Sequence, residues 1–168
     1  MESVVLDENL KENIVKDIEK FFQSYKWYEE KGVPYRRGYL LHGPPGTGKT
    51  SFTCAVAGAL NLNICYLNLA SDEIDDNRLN RALNESPSRS IILLEDIDGV
   101  FIGRESVNKR SNRGGVSFSG LLNALDGVRS QEGRLVFMTT NHPERLDPAL
   151  LRPGRADVHC MLDNASYK

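Results

Sequence analysis

The chain has 168 residues, 40% of them hydrophobic and 26% charged, with a formal net charge of −2. That is enough chain for one domain with a buried core, and the composition is that of an ordinary soluble domain. The near-neutral balance marks no nucleic-acid-binding surface, and no apolar stretch approaches the roughly 20 residues of a membrane span. The N-terminus reads neither as a signal peptide nor as an Arg-rich transit peptide, so any membrane link comes from sequence outside this chain. Cys54, Cys65 and Cys160 lie far apart without metal-ligand spacing. Such a scattered, odd set argues for a reducing compartment, and two of the three sit in apolar runs as small core residues. His42, His142 and His159 form no ligand pattern and read as structural residues.

Residues 7–25 carry Leu10, Ile14, Ile18, Phe21, Phe22 and Tyr25 at helical spacing, with Asp7 a suitable N-cap. Trp27 and Tyr28 follow, and Gly32 and Pro34 break the helix. Residues 37–42 read as a short strand. It leads into Gly43-Pro44-Pro45-Gly46-Thr47-Gly48-Lys49-Thr50, which fits the phosphate-binding pattern G-x-x-x-x-G-K-[ST]. Gly46 and Gly48 let the backbone curl so that successive N–H groups converge on phosphate oxygens. Pro44 and Pro45 lack an N–H and stiffen the entry, so the donors come from Gly46, Thr47, Gly48, Lys49, Thr50 and Ser51. Lys49 supplies a point charge for the outer phosphates, and the Thr50 hydroxyl is placed to ligate Mg²⁺. A helix over 49–60 aims its positive end at the same anion.

Residues 64–69 read as a buried strand. Asp75 or Asp76 caps a polar helix that runs through Leu79, Leu83 and Glu85 and stops at Pro87. The most apolar strand, 90–94, ends in Glu95-Asp96-Ile97-Asp98. Paired carboxylates after a strand supply what a phosphate loop needs: one acid for the metal, usually through its waters, and one to polarise the attacking water. Residues 103–115 are polar and cationic and read as a loop, followed by a helix over 117–125 that ends at Asp126-Gly127. A strand over 135–140, a helical turn over 148–151 and a last short strand over 158–162 complete the chain. Strands alternating with helices imply a parallel sheet covered on both faces, with ligands at the carboxyl ends of the strands. The phosphate loop, Glu95-Asp96 and Asn141 should therefore gather at one sheet edge.

Taken together, Gly43 to Thr50, Glu95 to Asp98, Thr140-Asn141 and Leu146-Asp147-Pro148-Ala149-Leu150-Leu151-Arg152-Pro153-Gly154-Arg155 resemble the AAA ATPase family. The resemblance implies an α/β P-loop NTPase with a five-stranded parallel sheet and helices on both faces, the large subdomain of an AAA subunit. It implies one domain: residues 1–37 as N-terminal helix and linker, residues 38–168 as the ATPase core. ATP or ADP and Mg²⁺ are the implied cofactors, with Thr50 and Glu95 on the metal side. Asn141 maps to the sensor of the γ-phosphate, and Arg152 and Arg155 to the arginines that reach into a neighbouring subunit's site. Such an arginine is worth about 10³–10⁵ in rate. Most family members have Asp then Glu where this chain has Glu95 then Asp96. Alignment puts Glu95 at the metal-associated position and Asp96 at the water-activating one, and the altered reach leaves the two roles open to sharing.

Trp27-Tyr28 and Gly32-Val33-Pro34-Tyr35-Arg36-Arg37-Gly38-Tyr39-Leu40-Leu41, with the Glu-Asp order, resemble a narrower group. These are mitochondrial chaperones that assemble respiratory complex III by moving the folded Rieske iron–sulfur protein across the inner membrane. The resemblance implies a homo-oligomeric ring, a folded client, no nucleic acid and an inner-membrane location through segments that this chain lacks. Family members that thread unfolded chains carry an aromatic before Gly in a pore loop. Residues 70–76, Ala-Ser-Asp-Glu-Ile-Asp-Asp, have neither, which suits a folded client or simple helix capping. The 103–115 loop either faces the central pore or is a plain surface loop. The family's helical lid and the group's transmembrane helix and middle domain fall outside this chain. It therefore reads as an excised core that binds nucleotide and hydrolyses it slowly alone.

Overall fold

The computed structural model describes residues 8–69, 71, 73–102, 115–127 and 133–163. The elements are α1 (Glu8–Gln23), α2 (Tyr25–Lys31), β1 (Arg36–His42), α3 (Lys49–Leu60), β2 (Asn63–Asn68), α4 (Asp76–Glu85), β3 (Ser90–Glu95), α5 (Gly99–Ile102), α6 (Phe118–Asp126), β4 (Arg134–Thr140) and β5 (Val158–Met161). Two 3₁₀ turns, Pro143–Arg145 and Pro148–Leu151, separate β4 from β5. All strand pairs are parallel, in the order β2-β3-β4-β1-β5. This is the five-stranded α/β sheet that the sequence implies.

Side chains alternate across the central strands, because successive Cβ atoms of a strand point to opposite faces. On one face Leu40, Ile92, Leu94, Val136 and Met138 pack with Leu79 and Leu83 of α4 and Leu121 and Leu125 of α6. On the other, Tyr39, Leu41, Ile91, Leu93, Leu135 and Phe137 pack with Ile14, Ile18 and Phe21 of α1 and Phe52 and Val56 of α3. Both faces are thus covered, as near-continuous apolar strands require.

The N-terminal helix departs from the expectation of one element over 7–25. It ends at Gln23, and Tyr25, Trp27 and Tyr28 lie on the separate helix α2, which closes at Gly32 with φ of 62°. Ser24 makes the break, its hydroxyl donating to the Lys20 carbonyl at 2.7 Å. Tyr28 turns back onto Phe21 and Tyr35, whereas Trp27 is exposed. The expected burial of β2 also needs correction: β2 is an edge strand, Leu67 is buried, and Ile64 and Tyr66 face solvent. Cys160 is buried, Cys65 half-buried and Cys54 exposed. The N-cap assigned to Asp7 and nearly all of the 103–115 loop lie outside the described residues.

Helix starts follow local chemistry. Asp75 caps α4 by accepting from the Arg78 N–H at 2.7 Å, which decides between the two candidate caps. Asp76 serves a different end: its carboxylate accepts from the Ser117 N–H at 2.7 Å and the Ser117 hydroxyl at 2.6 Å. Ser117 in turn caps α6 through the Gly120 N–H. Asp75 and Asp76 therefore organise two helix N-termini, where carboxylates are favoured.

Candidate nucleotide site

The loop between β1 and α3 turns on two glycines, Gly46 at φ 82° and Gly48 at φ 84°, a backbone region that disfavours a side chain. Gly48 is the N-cap of α3, so the helix starts at Lys49 with its N-terminus at the sheet's carboxyl edge. Lys49 is buried, and its ammonium donates to the Gly43 and Pro44 carbonyls, each at 2.9 Å. Burial pushes its pKa below the usual lysine range, against the pull of Asp96, Asp98 and Glu95.

From β3 come the carboxylates. Glu95 accepts from the Thr50 hydroxyl on one oxygen and from the Tyr66 hydroxyl, at 2.7 Å, on the other. The Glu95 bond raises the Tyr66 phenol to about 12. Asp96 sits at φ 52°, where the chain leaves the sheet. Its N–H donates to the Thr139 hydroxyl at 3.3 Å, and the Ile97 N–H to the Thr139 carbonyl at 3.1 Å. The end of β4 thus holds the bend. Burial, then the negative charges of Asp98 and Glu95, raise the Asp96 carboxyl, and Lys49 opposes them. Asp98 is buried and accepts from the Thr140 hydroxyl at 2.8 Å; the same hydroxyl accepts the His142 N–H at 2.9 Å. The turn carrying Asn141 is thereby fixed to the acidic segment.

Pro45, Gly46, Gly48, Lys49, Thr50, Ser51, Glu95, Asp96, Thr139 and Asn141 line one open cavity of about 350 Å³, within the range of small-molecule sites. Gly43, Pro44 and Thr47 belong to the same loop, where the Thr47 hydroxyl donates to the Pro44 carbonyl at 2.9 Å.

The donor set fits a nucleotide phosphate with a hard divalent ion. Among the described residues no cluster of three His, Cys, Asp or Glu could hold a metal by itself. One hydroxyl and one carboxylate suit magnesium, which takes its other ligands from phosphate and water.

Arg152 and Arg155 lie apart from this cavity and differ from each other. Arg152 is exposed. Arg155 forms an ion pair with Asp126 through two nitrogens and donates to the Ala149 carbonyl at 2.6 Å. Arg36 joins the same carboxylate at 3.3 Å. The hydrogen bonds to Arg155 hold Asp126 below the ordinary carboxylate range.

Sequence reasoning assigned no role to Tyr66, Thr139, Asp98 or Asp126. Asp98 and Thr139 lie beside quoted motifs, so proximity in sequence was a usable signal. Glu95 lies 29 residues from Tyr66, and Arg155 and Arg36 lie 29 and 90 residues from Asp126, so no local pattern marks these pairs.

A parallel sheet with a glycine–lysine loop after β1 and paired carboxylates after β3 defines a P-loop nucleotide-binding domain. The chain belongs to the ATPase family associated with various cellular activities (AAA), whose family model matches residues 39–164. It is 54% identical over 166 residues to a probable mitochondrial chaperone bcs1 of Schizosaccharomyces pombe. It is 53% identical over 162 residues to the mitochondrial chaperone BCS1 of Homo sapiens, and 51% over 172 to that of Danio rerio. These matches take in 99%, 94% and 99% of this chain, and 37%, 39% and 41% of the relatives. The chain thus spans about two fifths of the length of the curated relatives it matches. Among the described residues no helix is long and apolar enough to cross a membrane.

Proposed function

We propose that the chain is the ATP-hydrolysing core of a BCS1-type chaperone. The observation that carries the reading is the convergence of Lys49, Thr50, Glu95, Asp96 and Asn141 on one cavity at the carboxyl edge of the sheet. In this reading the loop N–H groups from Gly46 to Ser51 cradle the phosphates, and Lys49 exchanges its loop carbonyls for phosphate oxygens. Thr50 and Glu95 would hold magnesium, which would supply charge neutralisation on the phosphates. Asp96 orients the attacking water and accepts its proton, and Asn141 contacts the γ-phosphate. The site is completed in trans: Arg152, exposed on the segment after β4, reaches a neighbour's phosphates in a homo-oligomeric ring. Arg155 serves the same neighbour and must release Asp126 to do so. Hydrolysis by separate chains is accordingly slow.

The relatives support a mitochondrial compartment, and the client reading rests on the resemblance carried by residues 27–41 and the Glu95-Asp96 order. The matched proteins are named mitochondrial chaperones. We place the whole protein at the mitochondrial inner membrane, moving the folded Rieske iron–sulfur protein for complex III assembly. Residues 70–76 contain no aromatic to grip an unfolded chain, which fits a folded cargo.

Asp96→Asn tests the catalytic assignment. The variant should retain ATP through desalting and lose turnover by roughly 10²-fold or more. Turnover equal to that of the unchanged chain would remove Asp96 from its role.

A further inference from the structure

The geometry points to Tyr66 as a positioning residue for the metal side of the nucleotide site, holding the longer Glu95 side chain where an aspartate would need no such help. β2 and β3 pair with Asn68 opposite Glu95 and Tyr66 opposite Leu93, so Tyr66 and Glu95 lie on one face, one step apart along the strands. The Tyr66 hydroxyl donates to one Glu95 oxygen at 2.7 Å, and the Thr50 hydroxyl donates to the other. Two donors on opposite oxygens fix the plane of the carboxylate. Glutamate has one more rotatable bond than aspartate and places its carboxylate about 1.5 Å further out, one C–C bond length. Thr50 alone leaves that extra torsion free; Tyr66 removes it.

Tyr66 is 53% exposed on the edge strand, with little of its ring committed to the core. Its hydroxyl is therefore not required to satisfy a buried polar group, and its bond to Glu95 is the specific contact that the side chain makes in this site. Partners that orient a metal-side ligand typically change metal affinity by about 10–100-fold when lost.

The inference rests on the nucleotide-binding reading, and the experiment separates the two. Fluorescent N-methylanthraniloyl-ADP is titrated into the unchanged chain, Y66F, E95D and the double variant, each with Mg²⁺ and with chelator. The quantity read is the ratio of the two affinities. Tyr66→Phe should lower that ratio roughly tenfold in the Glu95 background. In the Glu95→Asp background, where the carboxylate is withdrawn from the phenol, the same change should cost less than about twofold. Equal ratios for the unchanged chain and Y66F overturn the inference, as does an equal loss in both backgrounds. A ratio near one in the unchanged chain overturns it too, since Glu95 then supports no metal. Absence of nucleotide binding by the unchanged chain overturns this inference and the functional reading together.

Discussion

Arg152 and Arg155 share one short segment, yet their surroundings differ. Arg152 is exposed, whereas the guanidinium of Arg155 is tied to Asp126 and the Ala149 carbonyl. A charged side chain with three hydrogen bonds to two partners is held in place, and its release costs those bonds. The same pair has a pH signature. Asp126 is depressed in the folded chain, first by its hydrogen bonds to Arg155. A carboxylate with a lower folded pKa adds stability above its unfolded value, and that stability is lost as pH falls through the folded value. The Asp126 side chain is 43% exposed, so solvent screening keeps the contribution small. Asp126→Asn should therefore lower the urea midpoint at about pH 7 by more than at about pH 3. A deficit of the same size at both values would contradict the role of the ion pair.

At the scale of elements, the site depends on how β1 is anchored. Asp17 of α1 accepts from Arg37 at 2.7 and 2.8 Å and from the Tyr39 hydroxyl at 2.7 Å. Tyr39 is fully buried and stacks on Phe137 of β4. The clamp thus fixes the strand that leads into the phosphate loop. On the other side of β1, a Cβ at Gly38 would lie 1.5 Å from the Arg155 carbonyl oxygen, so the chain entering β5 needs glycine there. Asp17→Ala leaves the Tyr39 hydroxyl without its acceptor and Arg37 without its counter-ion. It should cost roughly 2–3 kcal/mol in urea unfolding, and Asp17→Asn less, because an acceptor remains. Equal losses for the two variants would show that the hydrogen bond to Tyr39 contributes little.

These elements show what the sequence made legible. The strand–loop–helix unit over residues 36–60 was readable because its glycine spacing and lysine act locally. The carboxylates after β3 were readable because an apolar run ended abruptly in charge. The break at Ser24 was hidden, since Phe21, Phe22, Tyr25 and Tyr28 keep an aromatic pattern running across it. The edge position of β2 was hidden as well: periodicity reports which residues are apolar, not how many neighbours a strand has. Tyr66, the Glu95 partner in that strand, went unseen for the same reason.

At the scale of the whole molecule, the phosphate loop, the acids and Asn141 share one cavity, while Arg152 lies on the separate segment that leads to β5. That separation underlies the proposal of a site divided between copies of the chain. A divided site predicts complementation. Arg152→Ala retains its own loop and Asp96 but does not lend Arg152; Asp96→Asn cannot hydrolyse but still offers Arg152. The most direct measurement is ATP turnover of an equimolar mixture of these two variants at fixed total chain concentration. The account predicts a rate above that of either variant alone, because the Asp96→Asn chain completes the intact site of its Arg152→Ala neighbour. A mixture no faster than the average of the two separate variants would contradict it.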